Sequence, residues 1–194
     1  MAKSGLRFLS RLSLAVAALA VSACSGTVGP SPSHTVAVEP ANTCTDGGAH
    51  LYRIAQDSME PTLEPGDLLV VGPANDAVGE IVVFEPPPGS DGSGQNVPWI
   101  KRVVAVGGDT VEIRNGAVWV NDVKLNEPYV YEGQATDEVD GQTAWQVPKG
   151  DLFVLGDHRD LSMDSRAMGP IAISSVIGMV TYRCSPAARQ GPVT

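Results

Sequence analysis

The strongest constraint on the fold is a series of short runs rich in valine and isoleucine that recur from residue 51 onward. β-Branched side chains pack well on a pleated sheet, and glycine and proline, at 21 and 15 residues, separate the runs with turns. None of these runs shows helical periodicity. The sequence therefore predicts a mostly β, largely antiparallel protein with strands at residues 51–55, 67–71, 80–84, 99–106, 110–114, 117–121, 151–155 and 176–182.

The pair Asn115 and Gly116 lies between two of these runs and indicates a hairpin, because both residue types accept the positive φ that a two-residue turn requires. Two longer stretches are predicted to be loops. Residues 85–98 contain three consecutive prolines, and residues 131–144 are polar and acidic.

The chain is acidic, with a formal net charge of −9. Nucleic-acid binding depends on positive charge that neutralises phosphates, so we expect no nucleic-acid partner. His34 and His50 have no suitably spaced carboxylates nearby, so we expect no metal site, and we expect no cofactor.

The first 23 residues have the order of an export signal. Three basic residues precede an apolar run at residues 12–21, which is shorter than the roughly 20 residues that cross a bilayer. The sequence Val-Ser-Ala-Cys that ends at Cys24 resembles a bacterial lipobox, whose cysteine is lipidated and becomes the new amino terminus. This resemblance implies a lipid-anchored protein on the extracytoplasmic face of the bacterial cell membrane.

Two other interpretations of this terminus remain open. Val21 and Ala23 also satisfy a small-x-small cleavage rule, which would release the protein, and an uncleaved N-terminal anchor is the third alternative. If Cys24 carries lipid, Cys44 and Cys184 remain as a disulfide candidate in an oxidising compartment. Closure of that loop would add roughly 3–5 kcal/mol in the chain-entropy model. Two unrelated free thiols are the alternative.

Ser58 lies where a predicted strand ends, and Pro61 favours the first turn of a short helix. A chain break of this kind exposes a side chain and leaves backbone N–H groups free, which suits a nucleophile and an oxyanion site. The alternative is a serine that caps an ordinary turn.

Lys101 lies inside an apolar run, where strand alternation places it on the same face as Trp99 and Val103. Burial of that face would lower the lysine pKa toward neutral, and a neutral amine can accept the proton of a serine hydroxyl. If the run twists, Lys101 instead faces water. Residues 156–166 are dense in acidic, arginine and hydroxyl side chains, which suits either a hydrogen-bonded loop that braces a site or a solvated surface loop.

Together these elements resemble the type I signal peptidases, the Ser/Lys-dyad leader peptidases, in their Gram-positive form. The resemblance covers about residues 51–183. It is carried by three boxes, which are Ser58-Met59-x-Pro61, Lys101-Arg102-Val103-Val104, and Gly156-Asp157-x-Arg159-Asp160 with Ser162 and Asp164-Ser165-Arg166.

The resemblance implies a serine endopeptidase that needs no cofactor and cleaves leader peptides from exported proteins after small residues. Ser58 would attack the carbonyl, its backbone N–H would bind the oxyanion, and Lys101 would accept the hydroxyl proton. Ser162 would hold the lysine ammonium, and the peptide would lie as an added strand. The supporting residues implied by the motifs are Gln56, Ser162, Arg102, Asp157, Asp164 and Arg166.

Two positions depart from the family pattern. Many relatives have serine or glycine where this chain has Gln56, so completion of the oxyanion site by the glutamine amide is an open expectation. The family usually has asparagine at the position of His158, which we interpret as a structural variant. A rival triad of Ser58, His158 and Asp157 is disfavoured because adjacent side chains tend to diverge.

The short distance between the second and third boxes predicts a compact, barrel-like antiparallel catalytic core with a small hairpin subdomain. We expect an export signal with a lipobox at residues 1–23, a flexible tether at 24–48, the catalytic domain at 49–185 and a disordered tail at 186–194. The alternatives are an inactive lipid-anchored peptide-binding protein, a peptidase dedicated to one or a few exported substrates, and a self-cleaving repressor-type protease.

Overall fold

The computed structural model describes Cys44 and residues 50–75, 77–90 and 97–194. The predicted export signal, the lipobox cysteine Cys24 and most of the predicted tether lie outside the described residues. Within these residues the chain forms twelve strands and one short α-helix. They are β1 His50–Arg53, β2 Leu68–Gly72, β3 Ile81–Phe84, β4 Trp99–Val106, β5 Thr110–Arg114, β6 Ala117–Val120, β7 Val123–Lys124, β8 Ala144–Gln146, β9 Asp151–Leu155, α1 Ser165–Met168, β10 Ile171–Ala172, β11 Val176–Ser185 and β12 Gly191–Pro192.

The larger of two sheets has the strand order β1-β2-β11-β3-β4-β9-β10, and β12 pairs with the second half of β11. Every pairing in this sheet is antiparallel, and the sheet curls into a half-barrel. The smaller sheet has the order β7-β6-β5-β8. This architecture confirms the prediction of a mostly β fold with a small hairpin subdomain.

All eight predicted strands form, and those at residues 99–106, 110–114 and 151–155 have the predicted bounds. Asn115 and Gly116 join β5 to β6 with φ angles of 54° and 72°, as the hairpin signal indicated. The strands that the sequence did not predict are β7, β8, β10 and β12. Each has two or three residues, which is too few to show a strand's alternation.

Strand β4 lies inside the larger sheet, between β3 and β9. Its side chains enter two different apolar clusters, because Val103 packs in a cluster with Phe84 and Leu152, whereas Val104 packs in one with Phe153. Apolar packing on both faces excludes water from the strand. A polar side chain on β4 is therefore dehydrated unless the protein itself supplies its hydrogen bonds.

The carboxyl-terminal segment is ordered, and the prediction of a disordered tail at residues 186–194 is wrong. Ala187–Arg189 forms a 3₁₀ turn, and β12 pairs with β11. The arginine of this turn forms ion pairs with two carboxylates of the loop that follows β1. Local composition gave no signal of this order, because strand pairing and ion pairs to a distant loop hold the segment.

Cys44 and Cys184 form a disulfide, with their Cα atoms 5.7 Å apart. It ties the chain that precedes the sheet to the end of β11. Over the part of the chain that the structure describes, no helix is both long and apolar enough to cross a membrane.

Candidate active site

Ser58 lies in a loop that leaves β1 and returns to β2. Two backbone hydrogen bonds shape this loop, since the N–H of Ile54 donates to the carbonyl of Asp67 at 2.9 Å and the N–H of Leu63 donates to that of Met59 at 2.8 Å. Met59 and Leu63 are buried in one apolar cluster and anchor the loop on either side of its turn. Ser58 itself retains only 7% of its exposure.

Lys101 reaches the same point from β4. Its Nζ lies 2.8 Å from Ser58 Oγ and 3.1 Å from the carbonyl oxygen of Ile100. The indole ring of Trp99 lies beside it, with 5.8 Å between Nζ and the ring centroid. With an exposed fraction of 4%, the amine has exchanged water for these few partners. The predicted pair of Ser58 and Lys101 is thus brought into hydrogen-bonding contact.

Burial lowers the pKa of Lys101 from 10.5 to about 8. The carboxylates of Asp164 and Asp157 act in the opposite direction, because negative charge favours the ammonium, and the guanidinium of Arg166 adds to the lowering. Dehydration is the largest of these effects. A minor fraction of the amine is consequently neutral near physiological pH, and this fraction is able to accept a proton.

Asp157 connects strand β4, which carries Lys101, to the loop that carries Ser58. Its buried carboxylate accepts from Arg102 Nε at 2.9 Å and Arg102 Nη2 at 2.8 Å, in a two-pronged ion pair. It also accepts from the hydroxyl of Thr62 at 2.5 Å. Arg102 directly follows Lys101 on β4, and Thr62 lies in the same loop as Ser58, shortly after it in the chain. The sequence singled out Asp157 and Arg102 but missed Thr62, a hydroxyl residue that resembles many others in the chain.

Asp164 and Arg166 form a second buried pair. Asp164 caps α1, accepting from the backbone N–H of Arg166 at 3.1 Å and from its Nε at 2.9 Å. The other carboxylate oxygen accepts from the N–H of Gly156 at 3.1 Å. Arg166 Nη2 in turn donates to the carbonyl oxygens of Arg159 and Ser162, at 2.6 and 3.2 Å. This pair therefore sets the shape of the loop at residues 156–166.

A third buried arginine, Arg159, has partners that the sequence did not predict. Arg159, with an exposed fraction of 1%, forms an ion pair with Glu127 at 2.6 Å and a hydrogen bond with Thr136. Tyr129 donates its hydroxyl to Glu127 at 3.1 Å and packs its ring 4.0 Å from the guanidinium carbon of Arg102. The loop that follows β7 is thereby packed onto the active-site loop.

Two predicted supporting residues form no hydrogen bond with the pair among the described residues. Ser162 Oγ is buried and has no hydrogen-bond partner among the described residues, so the predicted bond to the lysine amine is not formed here. Gln56 is exposed, two residues before the nucleophile. Gly156 packs so closely that a Cβ there would lie 2.6 Å from the carbonyl oxygen of Ser58 and would also meet the Ser162 side chain.

His158 is not part of a triad with Ser58. Its backbone N–H donates to the carbonyl of Ser58 at 3.1 Å, but its ring stacks on Tyr131, with centroids 4.4 Å apart, and its Nδ1 lies 3.9 Å from a carboxylate oxygen of Glu60. The carboxylate of Asp157 is bound to Arg102 and Thr62 instead. The rival triad is therefore not assembled.

The site thus combines a buried serine hydroxyl, a dehydrated lysine amine and a polar loop held by buried ion pairs, and the lysine comes from an interior strand of a curled antiparallel sheet. Such a combination defines a serine hydrolase that uses lysine as its base. Over the residues described, no three histidine, cysteine or acidic side chains are grouped as metal ligands.

Comparison with known proteins agrees with this class. A family profile described as signal peptidase, peptidase S26, matches residues 44–184. The probable signal peptidase I-1 of Synechocystis sp. is 39% identical over 145 residues, which cover 71% of this chain and 72% of that protein. Signal peptidase I of Bacillus caldolyticus is 35% identical over 152 residues, with 70% and 79% covered. A solved signal peptidase I from Enterococcus faecalis V583 is 29% identical, with a TM-score of 0.45, covering 57% of this chain and 100% of that one.

The chain belongs to the signal peptidase family, peptidase S26. It is a serine endopeptidase that removes signal peptides.

Proposed function

We propose that Ser58 is the nucleophile and Lys101 the general base of this endopeptidase. The observation that carries the proposal is the 2.8 Å contact between Lys101 Nζ and Ser58 Oγ in a dehydrated setting. As Oγ bonds to the scissile carbonyl carbon, its proton passes to the neutral amine. The ammonium then gives that proton to the leaving amino group when the C–N bond breaks. The amine next takes a proton from water, whose oxygen attacks the acyl ester. The bond between the acyl carbon and Ser58 Oγ then breaks, and the ammonium returns its proton to Oγ, which restores both side chains.

The backbone N–H of Ser58 is the proposed oxyanion donor. No acceptor for it occurs among the described residues, so it is available to a developing alkoxide. Gln56 is exposed next to it and is proposed as the second donor through its amide. Ser162, whose hydroxyl lacks a partner among the described residues, is proposed to receive a hydrogen bond from the lysine once the amine is protonated.

Arg102, Asp157, Asp164 and Arg166 are proposed to support the pair rather than to react. Their hydrogen bonds join β4, the nucleophile loop and the loop at residues 156–166. Removing one partner of such a buried pair leaves an uncompensated charge and shifts the elements it joins.

The proposed substrates are exported proteins with small side chains one and three residues before the cut, bound as an added strand. The proposed place of action is the extracytoplasmic face of the bacterial membrane, where a lipid on Cys24 and a tether at residues 24–48 would hold the domain. The lipobox-like sequence supports this anchor. Incorporation of labelled fatty acid into the wild type and its loss in Cys24→Ala are expected. Label retained in the variant would refute the anchor and leave the uncleaved signal as the alternative.

Cleavage of a signal-peptide-bearing precursor by the purified protein tests the proposed roles. We expect turnover by the wild type, none above background by Ser58→Ala, and most of the activity in His158→Ala. Equal turnover by Ser58→Ala would overturn the role of Ser58. No turnover by the wild type would favour a peptide-binding protein that has lost catalysis.

A further inference from the structure

We propose that Arg183 and Arg189, at the carboxyl-terminal end of the chain, are positioning residues that hold the nucleophile loop in register with Lys101. The proposal rests on the roles given above to Ser58 and Lys101. Neither arginine lies in the three sequence boxes. Arg183 lies 121 positions from Thr62, and Arg189 lies 122 positions from Asp67, the loop residues to which they donate.

Asp67 is the point through which the loop is held. It is almost fully buried, with an exposed fraction of 1%, and it closes the loop that begins after β1. Its carboxylate accepts from the N–H of Glu64 at 3.0 Å, its own N–H donates to the Glu64 carbonyl at 3.0 Å, and its carbonyl accepts from Ile54 at 2.9 Å. A buried carboxylate requires cationic partners to offset the loss of water.

Both cationic partners come from the end of the chain. Arg183 Nε, on β11, lies 3.2 Å from the carboxylate of Asp67, and Arg183 Nη2 donates to the carbonyl of Thr62 at 2.7 Å. Arg189, in the 3₁₀ turn before β12, forms ion pairs with Asp67 and with Glu64. The two guanidinium groups therefore contact the loop at three residues within ten positions of Ser58, namely Thr62, Glu64 and Asp67.

Thr62 links these arginine contacts to the pair of Ser58 and Lys101. Its carbonyl accepts from Arg183, and its hydroxyl donates to Asp157, which is itself bound to Arg102 beside Lys101. The backbone of the loop is thus fixed from the carboxyl-terminal side and from the base strand at the same residue. Release of the carboxyl-terminal side would let Ser58 and Met59 move away from Lys101 and let water reach the amine.

The disulfide strengthens the connection, because Cys184 follows Arg183 directly and is bonded to Cys44. The end of β11 is therefore held at two points, by pairing with β2 and by the disulfide. This arrangement holds the backbone of Arg183 in a fixed position relative to the loop that its side chain contacts.

Steady-state kinetics of the full-length protein test the proposal with Arg189→Gln, Arg189→Lys and a matched control, Arg114→Gln. Arg114 also pairs with two carboxylates, at 3.2 and 3.5 Å, but lies in the smaller sheet. For Arg189→Gln we expect kcat to fall about tenfold or more while KM changes little, since small displacements of reacting groups are costly. The rising limb of the pH profile, which follows deprotonation of Lys101, should move to higher pH as the amine is hydrated and its pKa rises. Arg189→Lys should restore part of kcat, and Arg114→Gln should match the wild type.

A purely structural role would lower the melting temperature and leave the pH limb and kcat of the folded fraction unchanged, and that result would overturn the proposal. If Arg189→Gln does not fold, Glu64→Gln takes its place, because this change removes only an exposed partner of Arg189. A wild-type pH profile in Glu64→Gln would also overturn the proposal. Ser58→Ala, assayed in parallel, separates the two proposals. If Ser58→Ala is inactive and Arg189→Gln behaves like the wild type, only the proposed positioning role of the two arginines is refuted. If Ser58→Ala is active, the proposed catalytic roles are refuted, and the positioning role that rests on them is refuted as well.

Discussion

Lys101 Nζ and Ser58 Oγ lie 2.8 Å apart, although 43 positions separate the two residues in the chain. The lysine comes from the middle of a strand that is packed on both faces, and the serine comes from a loop anchored by buried Met59 and Leu63. Both sides of the contact are therefore rigid, and both are shielded from water. This setting explains how an amine that is normally charged can act as a base.

Activity is expected to depend on pH through the state of Lys101. Because burial lowers the pKa of this amine to about 8, only a small neutral fraction exists under acidic conditions. Between pH 6 and pH 8, kcat/KM should rise about fifty-fold and then level off, since the neutral form of Lys101 is the proposed base. Initial rates across this range provide the measurement. A limb of the profile that disappears in His158→Ala would point to a histidine base instead.

Replacement of Lys101 by methionine should abolish cleavage and yet stabilise the fold at pH 7. A pKa lowered from 10.5 to about 8 reflects a cost of about 3 kcal/mol for burying the ammonium. Part of this gain is offset by the lost hydrogen bond to Ser58, so we expect a net gain of about 2 kcal/mol in the free energy of unfolding.

The sign of this effect depends on pH. Below about pH 8 both folded and unfolded wild-type protein carry a protonated lysine, and the folded state bears the full cost of burial. Between pH 8 and 10.5 the unfolded state binds more protons, so wild-type stability rises with pH through that window. The advantage of Lys101→Met in urea unfolding should therefore shrink from pH 7 to pH 10. An advantage that grows over this range would contradict the interpretation.

Asp157→Ala is expected to destabilise the fold by about 3–5 kcal/mol, because it leaves the buried guanidinium of Arg102 without its carboxylate. Glu112→Ala is a suitable control, since it breaks an ion pair with Arg114 whose side chains are 37% and 38% exposed. We expect the control to change stability by at most about 1 kcal/mol. Urea unfolding of both variants provides the comparison, and equal losses would count against a special role for the buried pair.

Gly156→Ala should lower kcat about a hundredfold, because a methyl group 2.6 Å from the Ser58 carbonyl oxygen forces the loops apart. Gly72→Ala, whose new methyl group would meet only a Thr181 methyl at 3.3 Å, should retain wild-type kcat. The assay is cleavage of the same precursor at saturating concentration. Normal turnover by Gly156→Ala would show that this close approach is not needed for catalysis.

Much of the catalytic pair and of the larger strands could be predicted from local sequence. Strand alternation placed Lys101 beside Trp99, and the hairpin turn at Asn115 and Gly116 followed from the residue types alone. The partners of Asp67 and Arg159 could not be predicted. A carboxylate at residue 67 or 127 resembles any other in the chain, and its pairing depends on strands distant in sequence.

The order of the carboxyl-terminal segment also depends on contacts with residues distant in the sequence. Its composition contains no periodic signal, but pairing with β11 and ion pairs to the nucleophile loop hold it in place. The short strands β7, β8, β10 and β12 form for a similar reason, because neighbouring strands offer unpaired backbone groups that each of them satisfies.

The amino-acid sequence by itself determined which longer segments become strands, where the hairpin turns and which residue types are available for the reaction. These properties depend on backbone preferences and side-chain chemistry that act over a few residues. Only the tertiary structure decided which hydroxyl meets the amine, how dry that amine becomes and which arginines hold the loop beside it. Dehydration and ion pairing depend on atoms from distant parts of the chain, and those atoms become neighbours only when the sheet is complete.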